Sequence, residues 1–141
     1  MISLIKQWME SFKIPTERDF KTCKLYSKLV QEELRELDAE FSGGKSEAEL
    51  KEAIDLLWVA SARVIALGYS FEEINKAFAQ VFYSNMSKRS SSKEALENYI
   101  KENMLAGYTV EEIEGYFVLL NNIGKIQKGP FYHEPKIKLD E

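Results

Sequence analysis

Ser46-Glu-Ala-Glu-Leu-Lys-Glu-Ala-Ile-Asp-Leu-Leu-Trp-Val-Ala-Ser-Ala-Arg-Val-Ile-Ala-Leu-Gly68 is the stretch that decides the fold. It opens on a capping box, Ser46 with Glu49 three residues on, and stops at a glycine, so it reads as one helix. Residues 54–67 are apolar on nearly every side. A helix of that kind is buried all round, inside a bundle or at a subunit interface. Two acids break the pattern. Along the stripe Ala48, Glu52, Asp55, Val59, Ala62, the carboxylates of Glu52 and Asp55 stand where an apolar face continues.

The preceding segment repeats the anomaly. A helix from Thr16 or Glu17 to about Phe41, stopped by Gly43-Gly44, carries Leu25, Leu29, Val30, Leu34, Leu37 and Phe41 on apolar faces. The stripe through Leu25 and Leu29 runs on into Glu33 and Glu36, with Glu32 alongside. Glu33/Glu36 and Glu52/Asp55 are each i, i+3 pairs, so each pair projects from one helix face. Four or five carboxylates facing one another across a helix pair repel, and burial worsens it. A divalent cation neutralises them best, and an all-oxygen site suits Mg²⁺ or Mn²⁺ rather than Zn²⁺. The plainer alternative is a solvated acidic face balanced by lysines, with Lys28–Glu32 and Lys51–Asp55 as i, i+4 pairs. A di-iron carboxylate bundle needs Glu-x-x-His pairs, and the only histidine, His133, lies in the tail.

Outward from these two helices the pattern stays mostly helical. Ile5, Trp8, Met9 and Phe12 mark a short first helix ended by Pro15. Ser70-Phe-Glu-Glu73 is a second capping box, opening a helix to about Lys88. Lys88-Arg-Ser-Ser-Ser-Lys93 reads as a loop or linker, and Ser91 or Ser92 caps a fifth helix to about Leu105, closed by Gly107. Tyr116-Phe-Val-Leu-Leu120 reads as a strand, Asn121-Asn122-Ile-Gly124 as a turn, and Lys125-Ile-Gln-Lys128 as the return strand of a hairpin. The expectation is a mainly all-α single domain over residues 1–141. It is a bundle of four to five helices with a small C-terminal β-hairpin, completed by dimerisation, with the helical core over about 2–88 and a helix, hairpin and tail over about 91–141.

Composition narrows the function classes. The 141 residues are 45% hydrophobic and 30% charged, enough apolar content to exclude global disorder. A net charge of −4 argues against a general nucleic-acid-gripping surface but not against a small anionic ligand. No apolar run approaches the ~20 residues of a membrane span, and the N-terminus lacks a signal-peptide pattern. The single cysteine, Cys23, matches no zinc spacing and reads as a packed thiol in a reducing, cytoplasmic setting. Trp8 and Trp58 read as core or interface, His133 as a tail residue, and Lys125 and Lys128 as solvated lysines.

The segment Leu29-Val-Gln-Glu-Glu-Leu-Arg-Glu36, about fifteen residues, then Glu52-Ala-Ile-Asp-Leu-Leu-Trp-Val59, resembles the E-E-x-x-E … E-x-x-D signature. That signature belongs to the all-α nucleoside triphosphate pyrophosphohydrolases: MazG-like enzymes, phosphoribosyl-ATP pyrophosphohydrolases and dimeric dUTPases. Ser84-Asn-Met-Ser-Lys88 is similar to a recurrent S-N-M-S-K segment of MazG-like proteins. Gly124-Lys-Ile-Gln-Lys-Gly-Pro-Phe-Tyr132 is similar to the G-K-x-x-K-G-P-x-Y tail of short members. The resemblance covers about residues 2–88 and 124–137. Between about residues 90 and 120 a helix and a strand stand where the shortest members have a loop.

The resemblance implies that Glu33, Glu36, Glu52 and Asp55 are catalytic and ligate Mg²⁺, with Mn²⁺ as a substitute, and that Glu32 lies behind them. It implies that Asn85 and Lys88 bind a nucleoside triphosphate cleaved to the monophosphate and pyrophosphate. It further implies a homodimer, or a dimer of dimers, and no nucleic-acid or membrane partner. The competing expectation is a non-enzymatic, dimeric helical module that senses nucleotides or acts as an adaptor.

Overall fold

The computed structural model describes residues 1–138. Its helices are α1 (Ile2–Ser11), α2 (Phe20–Glu40), α3 (Glu47–Ile65), α4 (Phe71–Met86) and α5 (Lys93–Glu102). Its strands are β1 (Arg89–Ser90), β2 (Thr109–Ile113) and β3 (Tyr116–Leu120). The protein is mainly helical with one small antiparallel sheet, and it divides into two compact units, Met1–Ile74 and Asn75–Glu141.

In the first unit α3 packs against α2 along most of its length and against α1. The core is Ile5 and Met9 of α1, Cys23 and Tyr26 of α2, and Val59, Ala62 and Ile65 of α3, with Ala66. Trp8 and Trp58 pack against it edge to face, their ring centroids 5.6 Å apart, which makes them core aromatics. The Cys23 thiol donates to the Ala66 carbonyl at 3.1 Å, and Arg63 Nε donates to Ser27 Oγ at 2.9 Å, so two polar contacts stitch α2 to α3. Ser46 caps α3 by accepting the Glu49 N–H, as the capping box requires. Ser70 and Glu73 cap α4 reciprocally.

Two expectations shift here. Helix α2 starts at Phe20, not at Thr16 or Glu17, because the Asp19 carboxylate caps it by accepting the Thr22 N–H at 2.7 Å. Hydrogen bonding from Thr22, by its side chain first and its backbone N–H second, holds the Asp19 carboxyl below its ordinary value. The inward face of α2 carries Thr22, Cys23 and Tyr26, with Leu29 and Val30 half-buried, and Leu25 is exposed. Helix α3 is not buried all round within one chain. Val59, Ser61, Ala62 and Ile65 are covered, whereas Ile54 is 52% and Leu57 42% exposed.

In the second unit the sheet order is β1-β3-β2, and α5 packs on it through the fully buried Leu96. Ser92 caps α5 by accepting the Ala95 N–H. The hairpin is not the expected one. Tyr116–Leu120 pairs with the upstream strand Thr109–Ile113, joined by the two-residue turn Glu114-Gly115. Both turn residues have positive φ (48° and 82°), the primed-turn geometry that matches strand twist. The expected return strand, residues 125–128, is reduced to one bridge, Leu120 with Ile126, and the Gln127 N–H donating to Leu119. The reason is competition for one edge of β3. Arg89 and Ser90, expected in a loop, pair with Val118 and Phe117 as β1 and leave only Leu119 and Leu120 for the tail.

Candidate metal centre

Helix α2 carries Glu33 and Glu36 and helix α3 carries Glu52, and their packing brings the three carboxylates together. One oxygen from each lies within 4.8 Å of the others. Glu33 continues the inward face of α2 one turn past Leu29 and Val30, and Glu52 continues the Val59–Ala62 face of α3 toward its N-terminus. The core face thus ends in acid on both helices, with Glu33 and Glu52 partly covered and Glu36 exposed to solvent.

Electrostatics are unbalanced at this point. Burial pushes the Glu33 carboxyl above its ordinary value, and the charges of Glu36, Asp55, Glu52 and Glu32 push it the same way. The Glu52 side chain is only 12% exposed. Its Oε1 accepts from Lys51 Nζ at 2.8 Å, but its Oε2 is buried with no donor among the described residues. A buried carboxylate oxygen without a partner is costly, and a cation satisfies it. Glu52 therefore fits a metal-ligating role by its own chemistry.

Asp55 is placed differently. Its Oδ2 accepts from Lys51 Nζ at 2.8 Å, and it stands outside the three-carboxylate group while still acting on Glu33 through its charge. Lys51 grips Glu52 and Asp55 together, and both bonds hold its ammonium above its ordinary range. The i, i+4 pairing of Lys51 with Asp55 is legible in the sequence; the additional grip on Glu52 is not. Beside the cluster lies an open groove of about 980 Å³, lined by Leu37, Phe41, Leu50 and Ala53 with Lys45 and Glu49 among its polar residues. Leu37 and Ala53 directly follow Glu36 and Glu52 in the chain.

Asn85 and Lys88 belong to the second unit, at the end of α4, where Lys88 Nζ donates to Asn85 Oδ1 at 2.8 Å. Lys128 is ion-paired with Glu134 at 2.8 Å and lies over the Tyr132 ring, and Lys125 is exposed. His133 is exposed in the tail and is held by its backbone. Ser84, Ser87 and Tyr132 lie in the two quoted motifs, yet sequence reasoning gave them no role. Nothing in the sequence marks Ser84; the fold does, by burying it at the end of a helix that otherwise exposes many large side chains. No helix of the described residues is long and apolar enough to cross a membrane. Comparison with protein-family models, with curated proteins and with solved structures returns no match in any of the three.

Proposed function

We propose that the chain is a Mg²⁺-dependent nucleotide pyrophosphohydrolase, cleaving an NTP or dNTP to the monophosphate and pyrophosphate. The observation that carries this reading is the orphaned Glu52 Oε2 within a cluster of three carboxylates. Glu33, Glu36 and Glu52 would hold Mg²⁺, or Mn²⁺ in its place, with Asp55 as the fourth acid once Lys51 releases it. When bound, such an ion neutralises phosphate charge and lowers the pKa of a coordinated water. The chain's own residues do the rest. Glu32 would accept a hydrogen bond from the attacking water, the open groove along Leu37, Phe41 and Leu50 offers apolar surface to the nucleoside, and Asn85 and Lys88 of the second unit are assigned to the nucleotide on the resemblance alone. The reading includes a cytoplasmic homodimer, or a dimer of dimers, that covers the exposed Ile54 and Leu57.

Thermal melting with and without Mg²⁺ tests the metal. A ligand that binds only the folded state stabilises it by mass action, about 2.7 kcal/mol at a hundredfold excess over Kd, which raises Tm by roughly 10 °C in a domain of this size. Wild type is expected to show that rise and Glu36→Gln to lose most of it. Equal shifts in both would remove Glu36 from the site.

A second reading has its own observation. Lys51 already neutralises part of the cluster from within, as a purely structural acidic face requires. On that reading the chain is a helical nucleotide-sensing or adaptor module without turnover. Mg²⁺ then leaves Tm unchanged, and Asp55→Asn releases no metal-dependent stability.

A further inference from the structure

Ser84-Asn-Met-Ser-Lys88 closes α4 with two interleaved i, i+3 pairs, the serines on one face and Asn85 with Lys88 on a face turned by about 100°. The serines hold the tail. Ser84, 4% exposed, donates its hydroxyl proton to the His133 carbonyl at 2.8 Å. Ser87 Oγ accepts the His133 N–H at 3.1 Å and donates its own proton to the Ser84 carbonyl at 2.7 Å. Both backbone polar groups of one tail residue are thus gripped by a single helical turn.

The tail is also braced within itself. The Tyr132 hydroxyl donates to Glu134 Oε2 at 2.9 Å, while Glu134 Oε1 accepts from Lys128, whose ammonium lies 4.5 Å from the Tyr132 ring centroid. On its other side Lys88 runs directly into β1, which is paired to β3. Lys88 is therefore anchored from both directions, by the serine clasp before it and the sheet after it.

We propose that Ser84 and Ser87 are positioning residues: their clasp on His133 fixes the last turn of α4 so that Asn85 and Lys88 meet phosphate as a pre-set pair. The motif 84–88 and the tail at His133, just past the motif 124–132, are then two halves of one device. The proposal rests on the nucleotide reading above for the identity of the anion. Pre-organisation lowers the ordering cost of binding, so its loss appears in affinity rather than in the chemical step.

The test compares wild type, Ser84→Ala/Ser87→Ala, Ser87→Ala and Ser87→Thr. Amide exchange at His133 reads the clasp. Calorimetry with Mg²⁺ and inorganic tripolyphosphate, a probe independent of base and of turnover, reads the phosphate contacts. The double variant is expected to lose His133 protection and to bind tripolyphosphate about tenfold more weakly, with Ser87→Thr restoring what Ser87→Ala loses. Unprotected His133 in wild type overturns the clasp. Lost protection with unchanged affinity overturns the positioning role and leaves a merely structural strap. Wild type that fails to bind tripolyphosphate also overturns it; nucleotide turnover in the same preparation then decides whether the function falls with it.

Discussion

Glu33 is the residue on which the site's physics concentrates. A carboxyl held above its unfolded value stabilises the fold only while protonated. Its contribution is complete below the ordinary value of 4.5 and is lost as pH rises through the folded one. At neutral pH the ionised Glu33 therefore opposes folding of the metal-free protein. Glu33→Gln is expected to raise Tm in chelator at neutral pH, with the gain shrinking toward nothing at about pH 4. Melts at the two pH values check this, and an unchanged Tm at neutral pH would mean that the carboxylates do not crowd one another. The four acids were legible as interruptions of apolar stripes. Their inequality was not, because whether Asp55 faces Glu33 or Lys51 depends on side-chain rotamers that spacing does not specify. Glu52 and Asp55 look equivalent as an i, i+3 pair. In the fold both pair with Lys51, but only Glu52 also carries an orphaned oxygen and joins the three-carboxylate group.

At the scale of elements, the helices announced themselves through their caps. Ser46, Ser70 and Ser92 each accept the N–H three residues on, and each is followed by the helix its sequence promised. The start of α2 was missed because Asp19, with no Glu or Gln at N3, is a cap outside the capping-box pattern. The sheet was harder to read. Thr109–Ile113 carries Glu111 and Glu112, which obscure strand alternation, and its turn has Glu rather than Asn or Asp at the first position. The true strand and the false one, Lys125-Ile-Gln-Lys128, are both mostly polar, so polarity does not separate them. Helix C-termini offer a check on backbone strain. Met104 holds the left-handed position after α5 at φ 50°, with the Leu105 N–H returning to the Ile100 carbonyl in a Schellman motif. It is 88% exposed, so its side chain contributes no packing there. Met104→Gly is expected to stabilise the protein by about 1 kcal/mol. Urea denaturation would detect it, and a loss of stability would show that Met104 packs against something.

For the molecule as a whole, the apolar character of α3 was legible and its cause was not. A sequence reports that Ile54 and Leu57 avoid water; it does not report whether their cover comes from the same chain. Within one chain they remain exposed, together with Leu50 and Phe41. Homodimerisation is expected to cover them, so sedimentation should give a species of about twice the 16.3 kDa chain mass, and Ile54→Asp should yield the monomer. A wild-type monomer at micromolar concentration would assign that face to another partner.

The most direct measurement is product analysis. Wild type and Asp55→Asn would be incubated with Mg²⁺ and each common NTP and dNTP, and the products separated by anion exchange. The account predicts monophosphate and pyrophosphate from wild type on at least one nucleotide, and neither from Asp55→Asn. No turnover on any nucleotide with Mg²⁺ or Mn²⁺, or equal turnover by the two proteins, would contradict it.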